Sequence, residues 1–210
     1  MQALFVHGMG RSPLSAWRLL RHLQHAGLKT CSFGYSVSLE DVATIERRLV
    51  ARIARLAERG DYVLIGHSLG GVLLRAAINS LPAATRRPRH LFLLGSPLRP
   101  ALLAQRLAAN PLYRVLTRDC GQLLGSAARM AEIGPVPVPT TGIVGVRGLP
   151  PERSPFRGEA NDGVVSIAEV SADWLGDQVQ VPIVHTFLPS SRRVADIILQ
   201  RLARNGEKGG

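Results

Sequence analysis

The chain reads as an α/β domain built on a mostly parallel sheet of about six strands, with helices on both faces. Three observations predict it. Strand-like and helix-like segments alternate along most of the chain. Several strand-like runs, residues 2 to 7 above all with Ala3-Leu4-Phe5-Val6 at their centre, are apolar without alternation, which marks strands covered on both sides. The longer helix-like segments carry a single apolar stripe at helical spacing.

The elements follow in order. Residues 2 to 7 predict the first strand. Ser12 and Pro13 then supply an N-cap and a proline at the first helical position; Trp17, Leu20 and Leu23 line one face, and Gly27 stops the helix. Residues 30 to 35 predict a second short strand. Ser38 and Asp41 resemble a capping box before a helix striped by Val42, Ile45, Leu49, Ile53 and Leu56 and ended by Gly60. Asp61 to Gly66 is the third strand, Leu69 to Asn79 the third helix, and His90 to Gly95 the fourth strand. Residues 98 to 132 predict helix, and the proline-rich stretch 135 to 139 predicts extended chain. Thr141 to Val146 and Gln180 to Val184 are the fifth and sixth strands. The last helix is expected from about Ser191 to Arg204, with Val194, Ile197, Ile198 and Leu202 inward, and the tail Asn205 to Gly210 is expected to fray. No internal repeat is visible, so residues 1–210 read as one domain. The 98–140 stretch is too long for a simple crossover and predicts a small cap inserted within it.

Composition narrows the function classes. With 46% apolar and 20% charged residues, the chain has the makings of a packed core rather than of a disordered segment. The apolar stretch Leu69 to Ala77 is broken by Gly70, Gly71 and Arg75, and no window offers the roughly 18 apolar residues of a membrane span. The N-terminus shows no basic start, long apolar run or cleavage site, so a cytoplasmic location is expected. Cys31 and Cys120 are too few for a disulfide framework and match no metal motif; Cys31, in an apolar strand-like run, reads as a buried inert thiol. The net charge of +11 comes almost wholly from arginine, since Lys29 and Lys208 are the only lysines. Arg47, Arg48, Arg52, Arg55 and Arg59 are scattered over a helix rather than interleaved with aromatic residues, so no specific nucleic-acid binding is expected. A solvated surface is the principal reading of this charge, and weak association with an anionic membrane surface the second.

The chemistry-bearing motif is Gly66-His67-Ser68-Leu69-Gly70-Gly71, which lies between a Tyr62-Val63-Leu64-Ile65 strand and an apolar helix. A G-x-S-x-G run in that context places the serine on a sharp, strained strand-to-helix turn, and the flanking glycines let neighbouring backbone approach. The turn pushes the Ser68 hydroxyl out of the sheet and aims the Leu69 amide, at the helix N-terminus, toward a developing oxyanion.

With Val6-His7-Gly8-Met9-Gly10, the Asn161-Asp162-Gly163-Val164-Val165 segment and His185, this motif resembles the α/β-hydrolase family, specifically its small bacterial lipase and esterase members with a reduced sheet. The resemblance covers nearly the whole chain. It implies an α/β-hydrolase fold and a second oxyanion donor, the amide of Met9, with His7 shaping the loop. The family's triad runs serine, acid, histidine along the chain. Of six histidines only His185 lies far downstream of Ser68 and directly after a strand-like run, which makes it the expected general base. Asp119, Glu132, Glu152, Glu159, Asp162, Glu169, Asp173 and Asp177 all lie between the two. Asp162 stands in the family's usual setting for the acid, with Asp173 and Asp177 as runners-up; an ordinary Asp-Gly turn is the structural alternative.

The resemblance thus implies a serine hydrolase cleaving carboxylic esters through an acyl-enzyme, without metal or organic cofactor, acting on a small-molecule or lipid ester. Leu98, Leu102, Leu103, Leu107, Leu112 and Leu116 either line an apolar acyl pocket or pack the insert onto the sheet. Thioesterase, amidase and acyltransferase chemistry share the same fold and triad. A non-catalytic binding role is disfavoured, because every triad and oxyanion position is filled.

Overall fold

The computed structural model describes residues 1–150, 152, 154–156 and 158–207. In chain order the strands are β1 (Gln2–Val6), β2 (Lys29–Phe33), β3 (Tyr62–His67), β4 (His90–Leu94), β5 (Thr140–Gly145) and β6 (Asp177–Val181). The helices are α1 (Trp17–His25), α2 (Val42–Glu58), α3 (Leu69–Asn79), α4 (Leu102–Leu107), α5 (Pro111–Gly125), α6 (Ala127–Ile133) and α7 (Arg192–Glu207). The strands form one sheet in the order β2-β1-β3-β4-β5-β6, and every neighbouring pair is parallel. This is the α/β-hydrolase fold with a short sheet.

Alternation along the central strands builds two cores. Leu4, Val6, Leu64, Leu91 and Leu93 face α2 and α3, together with the inner residues of the 98–136 region. Ala3, Phe5, Val63, Ile65, Phe92 and Leu94 face α1 and α7. The predicted stripe of α2, Val42 through Leu56, is buried throughout. Because all strands run the same way, every loop that follows a strand emerges at one edge of the sheet, where parallel α/β sheets bind ligands.

Several expectations are corrected. Trp17 is 52% exposed: a 3-10 turn over Pro13–Ala16 shifts the helical register, so Ala16, Leu19, Leu20 and Leu23 face the sheet. Ser12 makes no side-chain cap. There is no capping box before α2, because Asp41 alone caps Thr44 N while Ser38 Oγ donates to the Leu116 carbonyl. Cys31 is half-buried rather than buried, since β2 is an edge strand. The sixth strand begins at Asp177, ahead of the apolar run that predicted it; as an edge strand it is half-exposed and carries polar residues. The last helix continues to Glu207, and the rest of the tail lies outside the described residues. The single helical region becomes three helices, with a break inside α5 at Arg118, whose φ of 44° is left-handed. No helix among the described residues is long and apolar enough to cross a membrane.

Candidate active site

Ser68 occupies the turn between β3 and α3 with φ 52° and ψ −124°, a conformation that costs a non-glycine residue free energy and clusters at functional sites. Its neighbours explain how the turn is held. A Cβ on Gly70 would lie 2.2 Å from the Val6 carbonyl oxygen, and one on Gly66 2.4 Å from Gly71 Cα. Both obstacles are backbone, so neither can swing aside. Gly70→Ala should therefore cost about 3 kcal/mol of stability, as overpacking against fixed atoms does. Denaturant unfolding measures it, and a variant as stable as the parent would show that β1 can shift to make room.

Downstream, two loops converge on this turn. Asp162 is buried, and its Oδ1 accepts from the amides of Val164 at 3.0 Å and Val165 at 2.9 Å. Its Oδ2 lies 2.6 Å from Nδ1 of His185, whose side chain is 8% exposed. The His185 amide also donates to the Asp162 carbonyl at 2.9 Å, so backbone and side chain hold one loop to the other. Since a carboxylate can only accept here, Nδ1 carries the proton and Nε2 is left as a base. Gly95, at the end of β4, leaves the space: a Cβ there would meet His185 Nδ1 at 2.9 Å and Asp162 Oδ2 at 3.0 Å.

Ser68 and His185 face one cavity of about 330 Å³, with Met9, Arg11, His67, Thr186 and Tyr113 among its other walls. No hydrogen bond joins the Ser68 hydroxyl to His185 among the described residues; such bonds commonly tighten only when substrate binds. Neither the Met9 nor the Leu69 amide is committed to a hydrogen bond among the described residues. Leu69 N opens α3 and Met9 borders the cavity. A larger hollow, about 600 Å³, lies at the opposite edge of the sheet among Met1, Gln2, Lys29, Arg59, Asp61, Arg89 and Leu202, and contains no nucleophile paired with a base.

The other carboxylates sit elsewhere. Asp177 lies at the start of β6, bound to Arg201 and Thr141, and Asp173 is exposed. Glu169 is buried and accepts from the amides of Leu102 and Ser166, tying the insert to the loop after β5. His7 stacks on Tyr35 with ring centroids 4.3 Å apart and lies beside the Gly8 carbonyl, which fits a loop-shaping role. Burial lowers its pKa. His67 is buried beneath His185, its Nε2 3.1 Å from the His185 carbonyl. Burial first, and the neighbouring His185 ring second, hold His67 well below the ordinary imidazole pKa, so it stays neutral and donates to that carbonyl.

Of the six leucines singled out in the insert, Leu103 and Leu107 line the cavity, Leu98 is in the core, and Leu112 and Leu116 are exposed. Leu102 borders a separate depression. Ala101, Ala104, Leu124 and Pro97 complete the apolar wall, with Val164 and Val165 from the Asp162 loop. Arg11, Tyr113 and Thr186 were not singled out from the sequence, although Thr186 follows His185 directly; Val164 and Val165 were quoted only as part of the segment that holds Asp162. Among the described residues no cluster of His, Cys, Asp or Glu is arranged to hold a metal ion.

The sequence matches the model of the alpha/beta hydrolase family over residues 3–203. No match was found among curated proteins. Among solved structures, the mature lipase BlEst2 of Bacillus licheniformis is similar, with a TM-score of 0.76 at 14% identity over 96% of this chain and 91% of that one. An extracellular alpha/beta-hydrolase from a Paenibacillus species gives a TM-score of 0.65 at 12% identity, over 95% and 98% of the two chains. The RedJ thioesterase of Streptomyces coelicolor gives 0.61 at 14%, over 98% and 90%. At these identities the likeness is one of fold.

Proposed function

Because the chain belongs to the alpha/beta hydrolase family, we propose that it is a serine hydrolase cleaving carboxylic esters, in the manner of an esterase or lipase. The observation that carries this reading is the buried 2.6 Å contact between Asp162 Oδ2 and His185 Nδ1, on the cavity where the strained Ser68 stands. Ser68 Oγ attacks the acyl carbonyl while His185 Nε2 takes its proton, and Asp162 holds the imidazolium that forms. The amides of Leu69 and Met9 receive the oxyanion. The leaving alcohol departs with the proton from His185, and water, activated by the same ring, releases the acid from the acyl-enzyme.

A fluorophosphonate probe tests nucleophile activation without knowledge of the substrate. Covalent addition of one probe, mapped by mass spectrometry to the peptide bearing Ser68, is the expected result. No labelling, or labelling of another serine, would overturn the assignment. The apolar lining favours acyl chains longer than acetyl. Leu103→Ala combined with Leu107→Ala should lower the ratio of kcat/KM for octanoyl over acetyl p-nitrophenyl esters about tenfold, the scale of a few lost methylene contacts. An unchanged ratio would assign both leucines to packing alone.

A further inference from the structure

The cavity is bordered by an apolar surface that the fold leaves uncovered. The first part of α5 has two sides. Tyr113 lines the cavity and Thr117 is buried, whereas Leu112, Val115 and Leu116, spaced to share one helix face, are 66%, 70% and 53% exposed. Leu39, 80% exposed, belongs to the adjoining loop. That loop is tied to the helix by the bond from Ser38 Oγ to the Leu116 carbonyl and by Arg118 Nη1, which donates to the Ser38 carbonyl at 3.0 Å. Arg114 and Arg118 share a shallow depression with Val115 and Leu116, and the exposed Arg11 borders the cavity. Among the described residues Arg11, Arg114 and Arg118 form no ion pair, while the neighbouring Glu40 and Asp119 are taken up by Arg48 and Arg129. An apolar face rimmed by uncompensated positive charge, in a chain of net charge +11, is complementary to a layer that is anionic above and apolar below.

We propose that this face docks on a lipid bilayer containing anionic headgroups and sets the cavity against that layer. That the layer also supplies the ester rests on the reading above; docking itself does not, and is measured separately.

The Ser68→Ala chain, unable to alter the lipid, is sedimented with vesicles of phosphatidylcholine alone and of phosphatidylcholine with phosphatidylglycerol. It should bind the mixed vesicles, bind the neutral ones at least about tenfold less, and be released as salt is raised. Adding Leu112→Ser, Val115→Ser and Leu116→Ser together should lower partitioning about tenfold or more. The same three changes in the parent should leave the melting temperature and the hydrolysis of a water-soluble acetate ester unaltered. Should that variant misfold, Arg114→Glu with Arg118→Glu serves instead and should abolish the preference for phosphatidylglycerol. Failure to bind either vesicle, equal binding to both, or full binding by the folded variants would overturn the proposal. So would a parent that is dimeric in solution and becomes monomeric in the triple variant, since a second copy would then cover the patch. Hydrolysis of the soluble ester by the parent reports on the chemistry whichever way the vesicles behave.

Discussion

Ser68→Ala should end covalent labelling by a fluorophosphonate and reduce ester hydrolysis by about 10⁵- to 10⁶-fold, the loss seen when the nucleophile of a serine triad is removed. The rest of the site stays in place. The Asp162–His185 contact does not involve Ser68, and the glycines that shape the turn are held by backbone, not by the serine hydroxyl. Alanine inherits the same left-handed φ of 52°, so the variant should melt within a few degrees of the parent. Residual turnover above the water rate would come from the oxyanion amides and from binding alone. Turnover retained to within about tenfold, in a variant that folds, would mean that Ser68 is a structural turn residue and that the chemistry lies elsewhere.

Asp162→Asn should be nearly as damaging, and the reason lies in how the carboxylate is held. Oδ1 accepts from two amides, Val164 N and Val165 N, so an asparagine must keep its oxygen there. Its NH₂ then faces His185 Nδ1, where the structure has a carboxylate oxygen at 2.6 Å. That nitrogen must now accept, which moves the ring proton to Nε2 and removes the base from the serine's side. A wrong tautomer of this kind costs a triad enzyme about 10⁴ in turnover, or about 5 kcal/mol of transition-state stabilisation. We expect a loss in kcat of roughly 10² to 10⁴ with little change in KM. Asp173→Asn and Asp177→Asn should stay within a few-fold of the parent, although the second gives up the Arg201 pair and should melt lower. Near-full activity in Asp162→Asn, with collapse in one of the others, would move the acid to the segment before His185.

The sequence by itself determined the parts whose physics is local. A run of apolar residues names a buried strand, and Gly66 through Gly71 name a tight turn because the steric demand and the residues that meet it are adjacent. The helix start at Leu69 and the stripe of α2 were legible for the same reason. His185 was reached through the serine–acid–histidine order that the resemblance implies, together with its place directly after a strand-like run. Only the tertiary structure decided what depends on distant partners. The resemblance singled out Asp162 among eight carboxylates of the same chemistry, but no local signal showed which of them meets His185. What distinguishes it is a loop, 23 residues before His185, that packs into the space left by Gly95, and no periodicity encodes that meeting. The half-exposed β6 carries a weak apolar signal, so its boundaries came from pairing with β5 rather than from composition. In the insert, leucines of equal hydrophobicity met three fates: Leu98 in the core, Leu103 and Leu107 on the cavity, Leu112 and Leu116 outside. Hydrophobicity states that a side chain gains by leaving water; which surface it leaves water for is settled by the elements that arrive beside it.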